Sequence, residues 1–483
     1  MPIRFTTIGL LLAAAVLWAC TVDFELTKGP PNFLVLIADD LGQETLSCYG
    51  VGEYPAHTPN LDRLCADGMR FDNFWVQPAG SPTRASILTG RYSFRNGIGA
   101  LPASPLVDFV TPPMLADAGQ ELPRGVGGGK GVYKNPFYVR GGLARDAYGL
   151  PRALSRDGGP GYTTAAVGKW QLADELNGGL DHPSILGFDH YAGNMRAASL
   201  ESYFAWSEVV NGRMTGGRTG YATSATVDDA IAWYDYAATD RPWLLWVAFN
   251  APHEPWGVPP ASLLDPETVA SLDAEDPRTY HRAMIEAMDT EIGRLLDALD
   301  PRDLDNTYVI FLGDNGSASR VVSPPFEAGR SKGTVYQGGI NVPLIIAGPD
   351  VSSASVSKAL ANSVDLFATI LELADAGNDP SLETVIVDST SLAPVLGDPA
   401  VAVREFAYAE LFGQLTGEIA DKRAIRNDRY KLVMDLHSDT EEFYDLSLDP
   451  FERNDLLKES LSVEAQRNYD ELVLEMLGLL ATG

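Results

Sequence analysis

Two pairs of adjacent polar residues each follow an apolar run in this sequence. Asp39 and Asp40 come after one run, and Asp314 and Asn315 come after another. If both runs are strands of one sheet, three carboxylates and one amide oxygen meet in a small volume, and such a cluster needs a cation to offset its self-repulsion. All-oxygen ligands suit calcium or magnesium better than zinc. We therefore predict that these four residues bind a hard divalent cation.

Four apolar runs that each end in polar residues are predicted to form the sheet that positions these groups. They are residues 33–38, 164–168, 243–249 and 308–313. Their apolar character is continuous, without alternation, which is typical of parallel strands covered by helices on both faces. Ligands bind beyond the carboxyl ends of such strands. Lys169 and His253, which follow two of the runs, are therefore expected at the same edge as the oxygen donors.

Helical signals fill the intervals between these runs. Pro59 predicts the first turn of one helix, and residues 280–296 and 469–480 carry apolar side chains at helical spacing. The predicted fold class is therefore α/β, with a large, mostly parallel central sheet flanked by helices and a small C-terminal α+β subdomain. We place the large domain at residues 30–380 and the subdomain at residues 385–483.

Composition and charge exclude several classes of protein. The chain has 483 residues, of which 45% are hydrophobic, so it can bury a large core. Its formal charge of −29 repels polyanions, and we predict no nucleic-acid partner. An anionic substrate would need cations concentrated locally at its site. Cys48 and Cys65 could form one bridge in an oxidising compartment, but the prediction is two buried free thiols.

Residues 1–20 differ from the rest of the chain and predict export. An apolar stretch at residues 8–19 is too short to span a bilayer, and Cys20 follows it as the residue that a lipoprotein signal would acylate. We predict a lipoprotein-type signal peptide and a periplasmic, outer-membrane or cell-surface location, with the membrane reached only through the lipid anchor. Trp18 is bulky for such a cleavage box, which leaves plain secretion or an uncleaved anchor open.

Residues 124–145 combine five basic residues with many glycines. The run at residues 125–130 superficially resembles a phosphate-binding loop, but its spacing is one residue short and no strand precedes it. We interpret the segment as a flexible insertion. The alternative is a basic rim that attracts an anionic substrate to an acidic protein.

Short motifs follow one another in a recognisable order from about Asn32 to the C-terminus. They are residues 32–40, 58–62, 81–84 with 88–91, 168–170 (Gly-Lys-Trp), 251–253 (Ala-Pro-His), 313–316 (Gly-Asp-Asn-Gly), 332–334 with 338–339, and 444–446 with 449–450. Together and in this order they resemble the sulfatases of the alkaline phosphatase superfamily.

The resemblance implies a role for each candidate residue. The four oxygen donors would bind a divalent cation, usually calcium, that polarises one oxygen of a sulfate ester. Arg84, Lys169 and Lys332 match the cations that surround the sulfate and the nucleophile, and His253 matches a histidine near the leaving oxygen. Preorganised positive charge of this kind stabilises the negative charge that shifts in the transition state.

The position that corresponds to the family's nucleophile carries no side chain. The family has Cys or Ser, oxidised to formylglycine, four residues before its arginine, and Gly80 stands four residues before Arg84. We therefore expect no formylglycine. The neighbouring Ser81 precedes Pro82, so it is predicted to cap a helix rather than to act as the nucleophile. Gln171 replaces a histidine usual in the family, and Ser81 and Gln171 are predicted to belong to the pocket.

These features predict an exported, metal-dependent hydrolase of sulfate esters, or of related phosphate or phosphonate esters, that works without formylglycine. A water molecule in the space opened at Gly80 would attack directly, and His253 or Lys332 would protonate the leaving group. The substrate would be a small-molecule or glycan anionic ester. The alternatives are a catalytically inactive homologue that binds anionic glycans and a lyase that reuses the same pocket. Oligomeric state is left unknown.

Overall fold

A computed structural model describes most of the chain. The described residues are 29–100, 142–155, 160–195, 200, 202–237, 241–377, 382, 384–415 and 418–482. The predicted signal peptide and residues 124–141 of the predicted basic insertion lie outside them. Within these ranges, every helix is too short or too polar to cross a membrane.

The described residues form strands and helices that alternate along much of the chain. The strands are β1 (Asn32–Ala38), β2 (Met69–Phe71), β3 (Phe74–Trp75), β4 (Thr163–Lys169), β5 (His190–Asn194), β6 (Ala205–Val210), β7 (Arg213–Thr219), β8 (Trp243–Ala248), β9 (Thr307–Gly313), β10 (Leu344–Ala347), β11 (Ser355–Ser357), β12 (Ala361–Asn362), β13 (Ala407–Leu415), β14 (Glu418–Arg426), β15 (Tyr430–Asp435) and β16 (Thr440–Asp445). The helices are α1 (Pro59–Asp67), α2 (Gly80–Thr89), α3 (Ser93–Asn96), α4 (Leu150–Leu154), α5 (His182–Ile185), α6 (Ala222–Ala237), α7 (Pro266–Ala270), α8 (Pro277–Ala298), α9 (Pro301–Leu304), α10 (Gln337–Ile340), α11 (Asp365–Leu373), α12 (Ala393–Gly397) and α13 (Val463–Ala481).

A ten-stranded sheet forms the centre of the molecule, in the order β11-β2-β10-β9-β1-β8-β4-β5-β6-β7. The four strands predicted from continuous apolar runs are its middle strands β9, β1, β8 and β4, and they are mutually parallel. Leu34 of β1, for example, lies between Leu245 of β8 and Val309 of β9. The predicted α/β fold with a large, mostly parallel sheet is confirmed.

Helices cover both faces of this sheet, which explains why its middle strands are apolar on both sides. Alternate residues of β1 point to opposite faces, so Val35 joins a core with α2 and α11, whereas Leu36 joins a core with α1, α6 and α8. The predicted helix start at Pro59 is the first residue of α1, and the predicted residues 280–296 lie within α8.

A smaller antiparallel sheet of β13, β14, β15 and β16 follows the large one, and α13 packs on it through Leu472 and Met476. This confirms the predicted C-terminal α+β subdomain. Buried Lys431 of β15 attaches the small sheet to the large domain, because its Nζ donates to the Val335 backbone oxygen at 2.6 Å and pairs with Glu452.

Cys48 and Cys65 form a disulfide, with their Cα atoms 6.5 Å apart. The prediction of two free thiols is therefore wrong. The turn Ser47–Tyr49 lies against α1, which carries Cys65, and this contact brings two cysteines of separate elements together.

Glu44 is a carboxylate buried just beyond the end of β1, with 1% of its surface exposed. Burial raises the pKa of Glu44 to about 7, and Ser317 lowers that pKa by less than burial raises it. Among the described residues, no lysine, arginine or histidine forms an ion pair with Glu44. A buried, ionised carboxylate without a cation destabilises a fold.

We expect Glu44→Gln to stabilise the fold at pH 8. The folded-state pKa of about 7 exceeds the unfolded value of 4.5, so the stability associated with this group is complete below pH 4.5 and is lost as pH rises through 7. The substitution should raise the free energy of unfolding by on the order of 2–3 kcal/mol at pH 8, and by under about 1 kcal/mol at pH 5. Urea unfolding at both pH values measures this.

The control is Glu53→Gln, at an exposed position. This variant should be as stable as the original protein at both pH values. An equal effect of Glu44→Gln at pH 5 and pH 8 would contradict the raised pKa.

Candidate active site

The carboxyl ends of the middle strands bring three acidic residues together at one edge of the large sheet. Asp39 and Asp40 follow β1, and Asp314 follows β9; all three are buried. The Asp314 N–H donates to the Ala38 oxygen at 2.9 Å, and the Asp40 N–H donates to Asp314 Oδ1 at 3.2 Å. Asp40 has a φ of 72°, a left-handed conformation that is uncommon for a non-glycine residue and is often found at functional sites.

Arg84 provides the positive charge for one of these carboxylates. It lies on α2 and is fully buried. Its Nε and Nη2 atoms donate to Asp314 Oδ2 at 3.0 and 2.8 Å, and its Nη1 atom donates to the Lys169 backbone oxygen at 2.8 Å. The guanidinium therefore links α2 to the ends of β4 and β9.

Two lysines and a histidine face the other two carboxylates. Lys169, the last residue of β4, pairs with Asp39. Lys332 donates to Asp40 Oδ2 at 2.6 Å from the loop that precedes α10. His253 Nε2 lies 3.8 Å from the same Asp40 oxygen. The structure thus brings together the acidic and basic residues that the sequence analysis selected.

The neighbouring charges and burial shift the pKa values of Asp39 and Asp314 in opposite directions. Burial alone would raise the pKa of Asp39, but Lys169 and the neighbouring cations outweigh burial and hold that pKa below its usual range. Burial, followed by the negative charge of Asp39, raises the pKa of Asp314 to about 6. Burial would lower the pKa of Lys332, whereas Asp40 raises it above the usual value. Additional positive charge would therefore be stabilised beside Asp314.

The side chain of Asn315 has an oxygen that no described residue uses. Its Nδ2 atom donates to Asp40 Oδ1 at 2.8 Å, whereas its buried Oδ1 atom has no hydrogen-bond donor among the described residues. Ligand atoms of Asp39, Asp40 and His253 lie within 4.8 Å of one another. A buried oxygen of this kind beside three carboxylates fits a hard divalent cation. His253 is a further nearby donor that was not among the predicted ligands.

Gly80 is the first residue of α2 and packs closely against two side chains. A Cβ atom on residue 80 would lie 2.3 Å from Asp314 Oδ2 and 2.8 Å from Gln171 Oε1. The predicted open space at Gly80 is therefore filled, because Arg84 holds the Asp314 carboxylate against α2. The backbone of Gln171 has a left-handed conformation, with a φ of 67°.

The predicted cap at Ser81 is wrong. Helix α2 begins one residue before Ser81, and Ala79 is its N-cap residue. Pro82 lies third in the helix, still within the first turn, where a proline is tolerated. The buried Ser81 hydroxyl instead donates to the Gln171 backbone oxygen at 2.8 Å. Ser81 therefore fixes the backbone of Gln171.

His281 is a neighbour of the site that was not among the residues predicted from the sequence. It lies buried on α8 and makes a hydrogen bond to the backbone of Asp40. Burial lowers the pKa of His281 to about 4, so its ring is neutral at pH 7. No metal or catalytic spacing marks it, because the contact depends on how α8 packs against the end of β1.

We expect Gly80→Ala to destabilise the fold. The added methyl group must displace the Asp314 carboxylate from Arg84, and overpacking of a buried site costs about 1–3 kcal/mol. Gly217→Ala is the matched control, because a Cβ atom at residue 217 would meet no heavy atom within 4 Å. Urea unfolding measures both variants. Equal stability of the two would contradict the close packing of Asp314 against residue 80.

Two family descriptions match this chain. Residues 31–376 match the family described as Sulfatase. Residues 330–477 match the family described as N-sulphoglucosamine sulphohydrolase, C-terminal. The N-acetylgalactosamine-6-sulfatase of Homo sapiens is 30% identical over 393 residues, which are 76% of this chain and 66% of that protein. This chain therefore spans just under two thirds of that relative. Arylsulfatase A of Homo sapiens is 29% identical over 469 residues, covering 89% of this chain and 83% of that protein.

Solved structures share the fold at lower identity. Ps i-CgsB in complex with k-i-k-neocarrahexaose has a TM-score of 0.73 and 24% identity, with 93% of each chain covered. BT4656 in complex with its substrate D-Glucosamine-2-N, 6-O-disulfate has a TM-score of 0.70 and 21% identity, with 94% of this chain and 99% of that chain covered.

Proposed function

Because this chain belongs to the sulfatase family, we propose that it is a metal-dependent hydrolase of glycan sulfate esters in which water, rather than formylglycine, is the nucleophile. The observation that carries this proposal is the set of three cations, Arg84, Lys169 and Lys332, each paired with one of the three buried carboxylates at this edge of the sheet. Buried ion pairs contribute little net stability. A requirement for charge in binding and catalysis accounts better for this concentration of ion pairs than stability does.

Asp39, Asp40, Asp314 and Asn315 would hold the divalent cation, which we propose is calcium, with magnesium as the alternative. The unused Asn315 Oδ1 and the raised pKa of Asp314 support this assignment. When bound, the cation would supply positive charge that polarises an oxygen of the sulfate ester.

The proposed reaction exchanges one bond to sulfur for another. The oxygen of water forms a bond to sulfur while the bond from sulfur to the ester oxygen breaks. His253 donates a proton to the departing ester oxygen, and the proton that the attacking water releases restores His253. Lys169 and Lys332 bind the sulfate oxygens. The products are the alcohol and hydrogensulfate, which loses its remaining proton to solvent.

Export of the protein is part of the proposal. The Cys48–Cys65 disulfide supports it, because disulfides persist in oxidising compartments. The predicted signal peptide and the acylated Cys20 would place the site outside the cytoplasm, where sulfated glycans of an extracellular source are accessible.

We expect the purified protein to hydrolyse para-nitrophenyl sulfate in calcium buffer, with residue 80 an unmodified glycine by mass spectrometry. Lys332→Met and His253→Gln should each lower kcat/KM by about 10²–10³-fold, because the first removes charge stabilisation and the second removes the proton donor. Lys358→Met, at an exposed position, is the control and should leave kcat/KM unchanged.

A second candidate function is non-catalytic binding of sulfated glycans. The hydroxyl of Ser81, next to Gly80, favours it, because that hydroxyl donates to the Gln171 backbone oxygen and is not free to lose its proton to a base. Binding of sulfated glycans with no turnover of any aryl sulfate, in calcium buffer, would contradict the hydrolase and support this binding protein.

A further inference from the structure

A cavity of about 820 Å³ opens beside the segment that carries His253. Its lining includes Glu254, Trp256, Val258, Glu275, Tyr280 and Arg320. Glu254 follows His253 directly, and the His253 Nδ1 atom lies 2.9 Å from the Glu254 backbone oxygen. Pockets that bind small organic ligands have volumes of roughly 300–1,000 Å³. A molecule with its sulfate ester at His253 would therefore have a cavity of ligand size next to it.

Trp256 forms a fixed aromatic surface in this cavity. Its Nε1 atom donates to the Pro252 backbone oxygen at 3.0 Å, and its ring meets the buried His281 edge-on, with ring centroids 6.5 Å apart. The Arg320 guanidinium lies 5.2 Å from the ring centroid. An indole held on several sides presents apolar area without losing much side-chain entropy on binding.

The polar groups of the cavity differ in character from those around Asp39 and Asp40. Glu254 and Glu275 offer two acceptors, and Arg320 offers a fork of donors; all three are exposed. Hydroxyl groups both donate and accept, so they match this mixture. A sulfate or carboxylate in the same place would face two glutamates and one arginine, a net charge of the same sign as its own. The lining therefore favours an uncharged, hydroxyl-rich ring.

We propose that this cavity binds an uncharged sugar ring joined to the sulfated sugar, with Trp256 contacting its C–H face. The substrate of the site is then an oligosaccharide that carries the reacting sulfate on one ring and no charge on the next. This rests on the proposed function, because that function places the sulfated ring at His253. Trp256 is a specificity-determining residue and takes no part in the reaction at sulfur.

Isothermal titration in calcium buffer tests the proposal without requiring turnover. The probes are three sulfated sugars, namely galactose, N-acetylgalactosamine and N-acetylglucosamine. Each sulfated sugar is tested alone, as a disaccharide with an added galactose, and as a disaccharide with an added glucuronate. We expect galactose to tighten binding about tenfold over the best single sugar, and glucuronate to give no gain. Trp256→Ala should abolish the gain and leave the affinity for the single sugar unchanged.

Two further variants separate a local effect from loss of folding. Val258→Trp adds bulk from an exposed position in the lining and should also abolish the gain from galactose. Tyr236→Ala, at a position 87% exposed on α6, is the control and should preserve that gain.

The proposal is overturned if galactose brings no gain in the original protein, if Trp256→Ala weakens single and extended sugars equally, or if the glucuronate-extended sugar binds more tightly than the galactose-extended one. These outcomes leave hydrolysis of para-nitrophenyl sulfate intact. Failure of every sulfated sugar to bind, together with no hydrolysis, would instead contradict the proposed function, and this inference with it.

Discussion

Three carboxylates buried at one edge of a parallel sheet impose a constraint that the rest of the site satisfies. Carboxylates this close repel one another, and burial without compensation is costly. Each therefore has its own cation: Arg84 comes from α2, Lys169 from the end of β4, and Lys332 from the loop before α10. The strand order β9-β1-β8-β4 makes this possible, because it places the ends of separated segments side by side.

Because Gly80 has no side chain, the ion pair of Asp314 and Arg84 can pack directly against residue 80. Asp314 Oδ2 lies only 2.3 Å from the position that a Cβ atom on residue 80 would take, and it receives two hydrogen bonds from Arg84. Gln171 closes the same space from the end of β4, with its backbone held by Ser81. Charged and polar groups therefore surround residue 80, and the proposed reaction relies on positioned charge and on water rather than on a covalent intermediate.

Much of the fold and part of the site follow from local sequence. The continuous apolar runs of the middle strands identify a sheet covered on both faces, and polar residues directly after those strands must share one edge. This reasoning from the amino-acid sequence is sufficient to place Asp40 and Asn315 together. It is not sufficient for the Cys48–Cys65 disulfide, the start of α2 or the contact of His281 with Asp40, because each depends on how elements distant in sequence pack. The cavity beside Trp256 has the same origin.

The site is expected to bind one divalent ion, held partly by the otherwise unused Asn315 Oδ1. Elemental analysis of protein dialysed against a low calcium concentration tests this most directly. One ion per chain is predicted for the original protein, with a clear loss in Asn315→Ala. Absence of bound metal from the original protein, or equal metal content in the two proteins, would contradict a metal site at this edge of the sheet.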